Sequence, residues 1–303
     1  MKSLVIGLGI GQLYIKVLKE HLGADVYTVD QDPYKNADFI SIEEAFDSGQ
    51  QYDTIHIATP NFTHKPLADA AIVNNLTKNC IVFVDKPGFK TAMQWANALT
   101  YANQLYNKPR LVMVKNNQYR QNIAAMIGDA QESNKVHIDW INKNRVPNPG
   151  SWFTNKELAW GGVSRDLMPH LLSYIPKFYP NYQDARVIKV IKKQNHKLSD
   201  LDSSDYGTID PNGVYNVDDY CYIEIELDNK TIQLTADWCN TKDDLMGIWF
   251  STNIIYSTGL CPEEAYGKMI KAAIDNRDND AYWYQQQQED LWIHTILEGL
   301  NGS

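Results

Sequence analysis

Apolar and polar positions give the chain two textures. Up to about residue 118, short β-branched runs at Leu4–Gly7, Asp25–Val29, Asp53–Ala58, Cys80–Asp85 and Leu111–Lys115 alternate with stretches patterned for helices. That alternation predicts a parallel sheet covered by helices. Ser41 with Glu44 and Thr91 with Gln94 have the capping-box spacing that satisfies free amide donors, which places two of the helix starts. Beyond about residue 120 the strand-like runs lengthen: Val136–Asn144, Arg186–Lys193, Tyr220–Leu227, Thr231–Trp238 and Ile248–Tyr256. They predict an open, largely antiparallel sheet, with a hairpin turn at Asp228-Asn229-Lys230 because Asn tolerates positive φ. The segment from Pro262 to Leu300 reads as returning helices. The Asp-, Ser-, Gly- and Pro-rich stretch at 198–216 reads as a mobile, exposed acidic loop, extending to 219.

The fold class expected is therefore α/β: an N-terminal domain over 1–118 with a parallel sheet, then an α/β domain over 119–303 with an open, largely antiparallel sheet. The length of 303 residues suits two domains. With 44% hydrophobic and 21% charged residues the chain can bury a large core, which excludes disorder. Its net charge of −9 disfavours a nucleic acid partner. No apolar run approaches the ~18 residues of a membrane helix. The N-terminus enters the first strand without a leader, so a cytoplasmic protein is expected. Cys80, Cys221, Cys239 and Cys261 lack CxxC or CxxH spacing, so neither a metal site nor a disulfide is expected.

The first strand runs into Gly7-Leu8-Gly9-Ile10-Gly11-Gln12 and a helical pattern, and Asp30 closes the second strand. Glycines permit the tight turn and let a pyrophosphate approach the backbone, where free N–H groups and the helix dipole meet its charge. Gln12 stands where the fingerprint has its third glycine, so the helix is expected slightly farther from the strand. Asp30 can accept from ribose hydroxyls and repels a 2′-phosphate. With no Arg or Lys before Lys35, NAD is expected over NADP.

Three further motifs follow: Ala58-Thr59-Pro60-Asn61-Phe62-Thr63-His64 after the third strand, Asp85-Lys86-Pro87 ending the fourth, and Gly161-Gly162-Val163-Ser164-Arg165-Asp166-Leu167-Met168-Pro169-His170. With the N-terminal fingerprint, their order resembles the glucose-fructose oxidoreductase/inositol dehydrogenase (Gfo/Idh/MocA) family over nearly the whole chain. The resemblance implies that the domain over 1–118 is a Rossmann domain that binds NAD. It also implies NAD(P)-dependent oxidation or reduction of sugars, polyols or related hydroxy compounds, and an open sheet that forms an oligomer face, in a homodimer or homotetramer. It implies cofactor contacts from Gly7, Leu8, Gly9, Ile10, Gly11, Asp30, Thr59, Pro60, Asn61, His64, Lys86 and Pro87. Lys86 matches the lysine of the family's Glu-Lys-Pro signature, and Asp166 and His170 match its Asp and His.

Chemistry supports these roles. Hydride departure from a carbinol requires loss of the hydroxyl proton, which a histidine can take, while Lys86 stabilises the developing alkoxide. Asp166, four residues before His170, is expected on the same side of a helix starting near Asp166, since Pro169 is tolerated only in a first turn. Asp85 replaces the family's Glu, and Met168 stands where Gly is frequent, which would fill the pocket floor. Tyr119, Arg120 and Trp152 are further substrate-binding candidates; Phe153 replaces an Arg, for which Arg120, Arg145 or Arg165 could substitute. His64 is expected to stabilise the loop beneath the cofactor. The remaining histidines, including His56, His196 and His294, read as structural. The expected function is an NAD-dependent oxidoreductase acting on a secondary hydroxyl or hemiacetal of a sugar or cyclitol. The alternatives are an NAD-dependent hydrolase working by transient oxidation and elimination, and a dinucleotide-sensing protein without catalysis.

Overall fold

The computed structural model describes residues 1–201, 206–240, 244–251, 255–258 and 261–300. The chain forms two compact units. The first comprises Met1–Tyr119 and Pro262–His294; the second comprises Arg120–Cys261 and the residues from Thr295 on.

In the first unit, strands β1 (Lys2–Ile6), β2 (Asp25–Val29), β3 (Thr54–Ile57), β4 (Ile81–Val84) and β5 (Arg110–Met113) form an all-parallel sheet in the order β2-β1-β3-β4-β5. Helices α1 (Gly11–Glu20), α2 (Ile42–Asp47), α3 (His64–Asn74) and α4 (Ala92–Gln104) make the crossovers. The two expected caps form: Ser41 Oγ accepts from Glu44 N and Thr91 Oγ1 from Gln94 N. The order reverses between β1 and β3, and the carboxyl ends of such strands are where open parallel sheets bind ligands.

In the second unit, α5 (Ile123–Glu132) precedes a mixed sheet of β6 (Lys135–Ile141), β7 (Arg186–Lys193), β8 (Tyr220–Leu227), β9 (Lys230–Asp237), β10 (Leu245–Phe250) and β11 (Ile255–Ser257). Its order is β11-β10-β6-β9-β8-β7, antiparallel except for the parallel β6–β9 pair. β6 and β8 alternate buried and partly exposed positions, so Val136, Ile138, Cys221, Ile223 and Ile225 line one face. Short helices α6 (Lys156–Ala159), α7 (Val163–Asp166), α8 (Met168–Leu172) and α9 (Ile175–Phe178) connect β6 to β7.

The chain ends with α10 (Glu263–Asp275) and α11 (Asp280–Gly299). The sequence assigned both to the second domain; the structure places Pro262–His294 in the first unit. Met269, Ile270, Ala273 and Trp283 share one buried core with Val5, Tyr14, Val17, Leu18 and Phe83. Burying side chains of this size stabilises by about 1.5–3 kcal/mol each, a long-range term that strand spacing along the chain does not show.

Three local expectations also change. The run 248–256 divides into β10 and β11, with 252–254 outside the described residues. At the hairpin it is Asp228, not Asn229, that takes positive φ, at 52°. The acidic stretch is mostly exposed where described, residues 202–205 lying outside the described ones, but it is tied down. Asp210 N donates to Pro149 O, Thr154 Oγ1 lies 2.6 Å from Val214 O, and Val217–Asp219 are buried.

Candidate active site

The glycine loop follows from the close approach of β1 and β3. Gly7 has φ 91°, and a Cβ there would lie 2.6 Å from Ala58 O and 2.7 Å from Thr59 Cγ2, so only glycine fits. At Gly9 a Cβ would meet no atom within 4 Å, leaving that side of the turn open. Helix α1 starts at Gly11 with no side-chain cap and no acidic residue in its first turn. Open space over Gly9 beside an uncapped helix N-terminus fits the pyrophosphate of a dinucleotide. Gln12 is exposed and does not hold α1 away: Gly11 sits against the sheet instead, its Cβ position 3.0 Å from Val5 Cγ1.

Asp30 is buried at the end of β2. Its Oδ2 accepts from Leu8 N at 2.7 Å and from Lys35 Nζ at 2.9 Å, and its Oδ1 accepts from Asp32 N at 3.0 Å. Burial alone would push this carboxyl up, but the two N–H donors and the ammonium hold it below the usual carboxylate range. The Lys35 contact corrects the sequence argument, which treated Asp30 as an unneutralised charge.

His64 joins the other two motifs of this unit. Fully buried, it lies with Nδ1 2.9 Å from Gly88 O and Nε2 2.8 Å from Thr59 O. Burial pushes the imidazole below the usual histidine range, and an uncharged ring donates through only one nitrogen at a time. Pro60 begins the turn ahead of α3, and Asn61 is buried within it. Asp85 Oδ1 accepts from Lys86 N at 2.9 Å, a local use for the shortened carboxylate. Lys86 is half-buried, the Lys86–Pro87 peptide is cis, and Gly88 has φ 74°.

The sequence missed what secures this turn. His294 Nε2 accepts from Phe89 N at 3.0 Å and its Nδ1 lies 2.7 Å from Asp290 O, which assigns the proton to Nδ1. Its ring stacks on Trp95 at 4.6 Å. One turn earlier on α11, buried Asp290 pairs with buried Lys115 and accepts from Met113 N at 2.9 Å, while Glu289 accepts from Gln118 Nε2. Tyr119 belongs to this packing, its hydroxyl 3.3 Å from that of Tyr282.

In the second unit, the Gly161-Gly162 pair is explained by Asp218. A Cβ on Gly162 would lie 1.9 Å from Asp218 O, and Val163 N donates to that same carbonyl. The Asp218 carboxylate accepts from Gly162 N, Ser164 N and Ser164 Oγ at 2.8–3.1 Å, capping α7. α7 therefore starts at Val163, earlier than expected, and Asp166 ends it. Pro169 lies in the first turn of the separate α8, which carries His170. Asp166 Oδ2 accepts from Trp238 Nε1 at 3.0 Å, and the His170 ring lies 5.3 Å from that of Trp140.

Other candidates are placed in packing roles. Met168 is fully buried in the core rather than at a surface. Arg165 is also buried, its guanidinium pushed down to about 10 by burial while Asp218 and Glu298 oppose the shift. Arg120 is buried with Nη2 3.3 Å from Thr258 O, and Arg145 pairs with Asp244 at 3.2 Å. Trp152 stacks on Phe153 at 3.9 Å.

No family profile matches the chain. Among solved structures, GenD2 from gentamicin A biosynthesis, in complex with NAD, is similar with a TM-score of 0.76 and 17% identity over 98% of this chain and 92% of that one. The WlbA (WbpB) dehydrogenase from Thermus thermophilus, in complex with NAD and UDP-GlcNAcA, gives 0.68 and 14% over 98% and 94%. The chain has their fold. In sequence it is 28% identical over 185 residues to a protein of Amycolatopsis mediterranei (strain S699) named as the oxidoreductase subunit of UDP-kanosamine synthase. That match covers 57% of this chain and spans half the length of the relative.

Proposed function

We propose that the chain is an NAD-dependent oxidoreductase of the Gfo/Idh/MocA type. It exchanges a hydride between the nicotinamide and a secondary hydroxyl or hemiacetal carbon of a sugar or cyclitol. The observation that carries the reading is the open turn at Gly9 beside the uncapped N-terminus of α1, with Asp30 at the end of β2, in a fold shared with NAD-bound proteins. The names of the relatives make nucleotide-linked sugars the first substrates to test.

A bound NAD would supply the hydride-transfer chemistry, and the residues of the chain would hold it and handle the proton. Backbone donors of Gly9, Ile10 and Gly11 receive the pyrophosphate, Leu8 lines the turn with its own N–H held by Asp30, and Asp30 accepts from the adenosine ribose. Thr59, Pro60, Asn61 and Pro87 shape the remaining contact surface, with His64 holding two of its turns. Lys86 supplies the positive charge for the alkoxide, His170 takes the hydroxyl proton, and Asp166, oriented by Trp238, positions the substrate. Tyr119 of the first unit and Arg120 and Trp152 of the second are the further substrate-binding residues of this reading. We also propose a cytoplasmic location and a homodimer or homotetramer; exposed Ile188 on β7 and Ile255 on β11 support the assembly only. Among the described residues no helix is long and apolar enough to cross a membrane.

The test is a spectrophotometric screen of UDP-sugars, free sugars and cyclitols with both cofactors. Net NADH formation with one substrate class is the expected result. Turnover without net NADH would favour the transient-oxidation hydrolase, and a protein that binds NAD but turns over no hydroxy compound would overturn catalysis.

A further inference from the structure

Three side chains with metal-ligand chemistry meet at one end of the second sheet, apart from every residue assigned above. The register makes their meeting a consequence of topology. Lys193 at the end of β7 pairs with Tyr220 at the start of β8, which pairs with Asp237 at the end of β9. His196, Asp219 and Cys239 follow or precede those three residues closely. One ligand atom from each lies within 4.8 Å of the others.

The carboxylate is preset. Asp219 is fully buried, and its Oδ1 accepts from Asn195 N at 2.9 Å. Its Oδ2 accepts from His196 N at 2.8 Å and lies 3.0 Å from His196 Nδ1 and 3.4 Å from the Tyr215 hydroxyl. Among the described residues, Oδ1 accepts only from Asn195 N, which it shares with Oδ2, and so keeps a lone pair for an ion. Among the described residues, no lysine or arginine forms an ion pair with Asp219 or with neighbouring Asp237, so their negative charge has no fixed cation. Cys239 is buried, and the His196 ring is partly exposed, which gives an ion a way in.

We propose that His196 Nδ1, the Asp219 carboxylate and Cys239 Sγ form a binding site for a zinc-class divalent transition-metal ion. A borderline-soft ion accepts imidazole, carboxylate and thiolate together in tetrahedral geometry, whereas calcium and magnesium require oxygen donors. Binding releases one proton, from the Cys239 thiol, and moves the imidazole proton to Nε2 so that Nδ1 is free to ligate. Backbone donors to Asp219 supply the outer hydrogen bonds that orient a ligating carboxylate, and the fourth position is left for water. The ion would fasten the strand end that carries Trp238, whose Nε1 holds Asp166.

The experiment titrates the reduced, chelator-treated protein with cobalt(II), followed by competition with zinc(II). Saturation at one cobalt per chain, with a thiolate-to-cobalt charge-transfer band that zinc abolishes, is expected, as is a zinc-dependent rise in melting temperature. Cys239→Ser should remove the band and Cys261→Ser should retain it. His196→Ala should weaken binding by at least ~100-fold, above the loss for an outer-shell group. Absence of a saturable sulfur band, or its survival in Cys239→Ser, overturns the site. If Cys239→Ser folds poorly, His196→Ala at its partly exposed ring carries the test, and undiminished affinity overturns the proposal.

Discussion

Two glycines in one turn should fail in opposite ways when each is changed to alanine. At Gly7, alanine must adopt φ 91°, a conformation that costs an L-residue about 1–2 kcal/mol. Its Cβ would also lie 2.6 Å from Ala58 O where ordinary contact begins at 3.4 Å, so β1 and β3 must separate by 3.4 − 2.6 = 0.8 Å. Overpacking of that kind adds about 1–3 kcal/mol, giving a total near 2–5 kcal/mol. At Gly9 a new Cβ touches nothing, so Gly9→Ala should leave stability within about 1 kcal/mol of the parent or raise it slightly. The methyl group instead occupies the space proposed for the pyrophosphate, and NAD affinity should fall at least ~10-fold, or about 1.4 kcal/mol. Urea denaturation measures the first effect and calorimetric NAD titration the second. Parent-like NAD binding by Gly9→Ala would show that no pyrophosphate lies over this turn, and a Gly7→Ala protein of parent stability would refute the steric argument.

Four other outcomes are expected. Lys35→Ala should lower NADP affinity about 5-fold relative to NAD in paired titrations, because one exposed cation near a phosphate is worth about 1 kcal/mol in water; an unchanged ratio would separate Lys35 from the 2′ position. Lys115→Met, which leaves Asp290 and Glu289 buried without their cation, should cost about 3–5 kcal/mol in denaturant melts, and a loss under 1 kcal/mol would contradict the buried pair. His56, pushed down to about 3 by burial, binds its proton more readily unfolded than folded. Stability should therefore fall as pH drops from about 6.5 towards 3, and His56→Gln should flatten that slope. In steady-state assays, Lys86→Met should cut turnover at least ~100-fold and His170→Ala ~100- to 10,000-fold. The pH–rate profile of oxidation should have an acid limb that His170→Ala abolishes; if instead Lys86→Met alone removes it, the two roles are reversed.

Elements with a local signature were legible in the sequence. The parallel strands follow from β-branched runs between capped helices, and both predicted caps at Ser41 and Thr91 are made by short-range bonds. The antiparallel edges of the second sheet follow from long alternating runs. What escaped depends on residues far apart along the chain. The parallel β6–β9 pair joins strands separated by much of the second unit, and Asp218 caps α7 from more than fifty residues downstream. Lys35 lay close enough to be counted, but a list of nearby charges does not show that its ammonium reaches back to Asp30. Pro169 was correctly read as a helix-start residue, yet the helix it opens is α8, because α7 has already been started by Gly162 and Asp218.

The same distinction explains why α11 up to His294 belongs with the first unit. A glycine turn and a Lys-Pro turn are lengths of backbone with few side chains of their own to fix them, so each needs donors and acceptors from elsewhere. His64 lies between the Thr59 and Gly88 carbonyls and donates to one or the other, and His294 of α11 accepts from the next amide, Phe89 N. Asp290, one helical turn before His294, fixes the end of β5 through Met113 N and Lys115. Two buried histidines and one buried ion pair thus connect the Thr59 turn, the Lys86 turn and the last parallel strand through hydrogen bonds made within one unit. A helix distant in sequence thereby helps to fix the backbone on which the proposed contacts at Thr59, Lys86 and Pro87 depend.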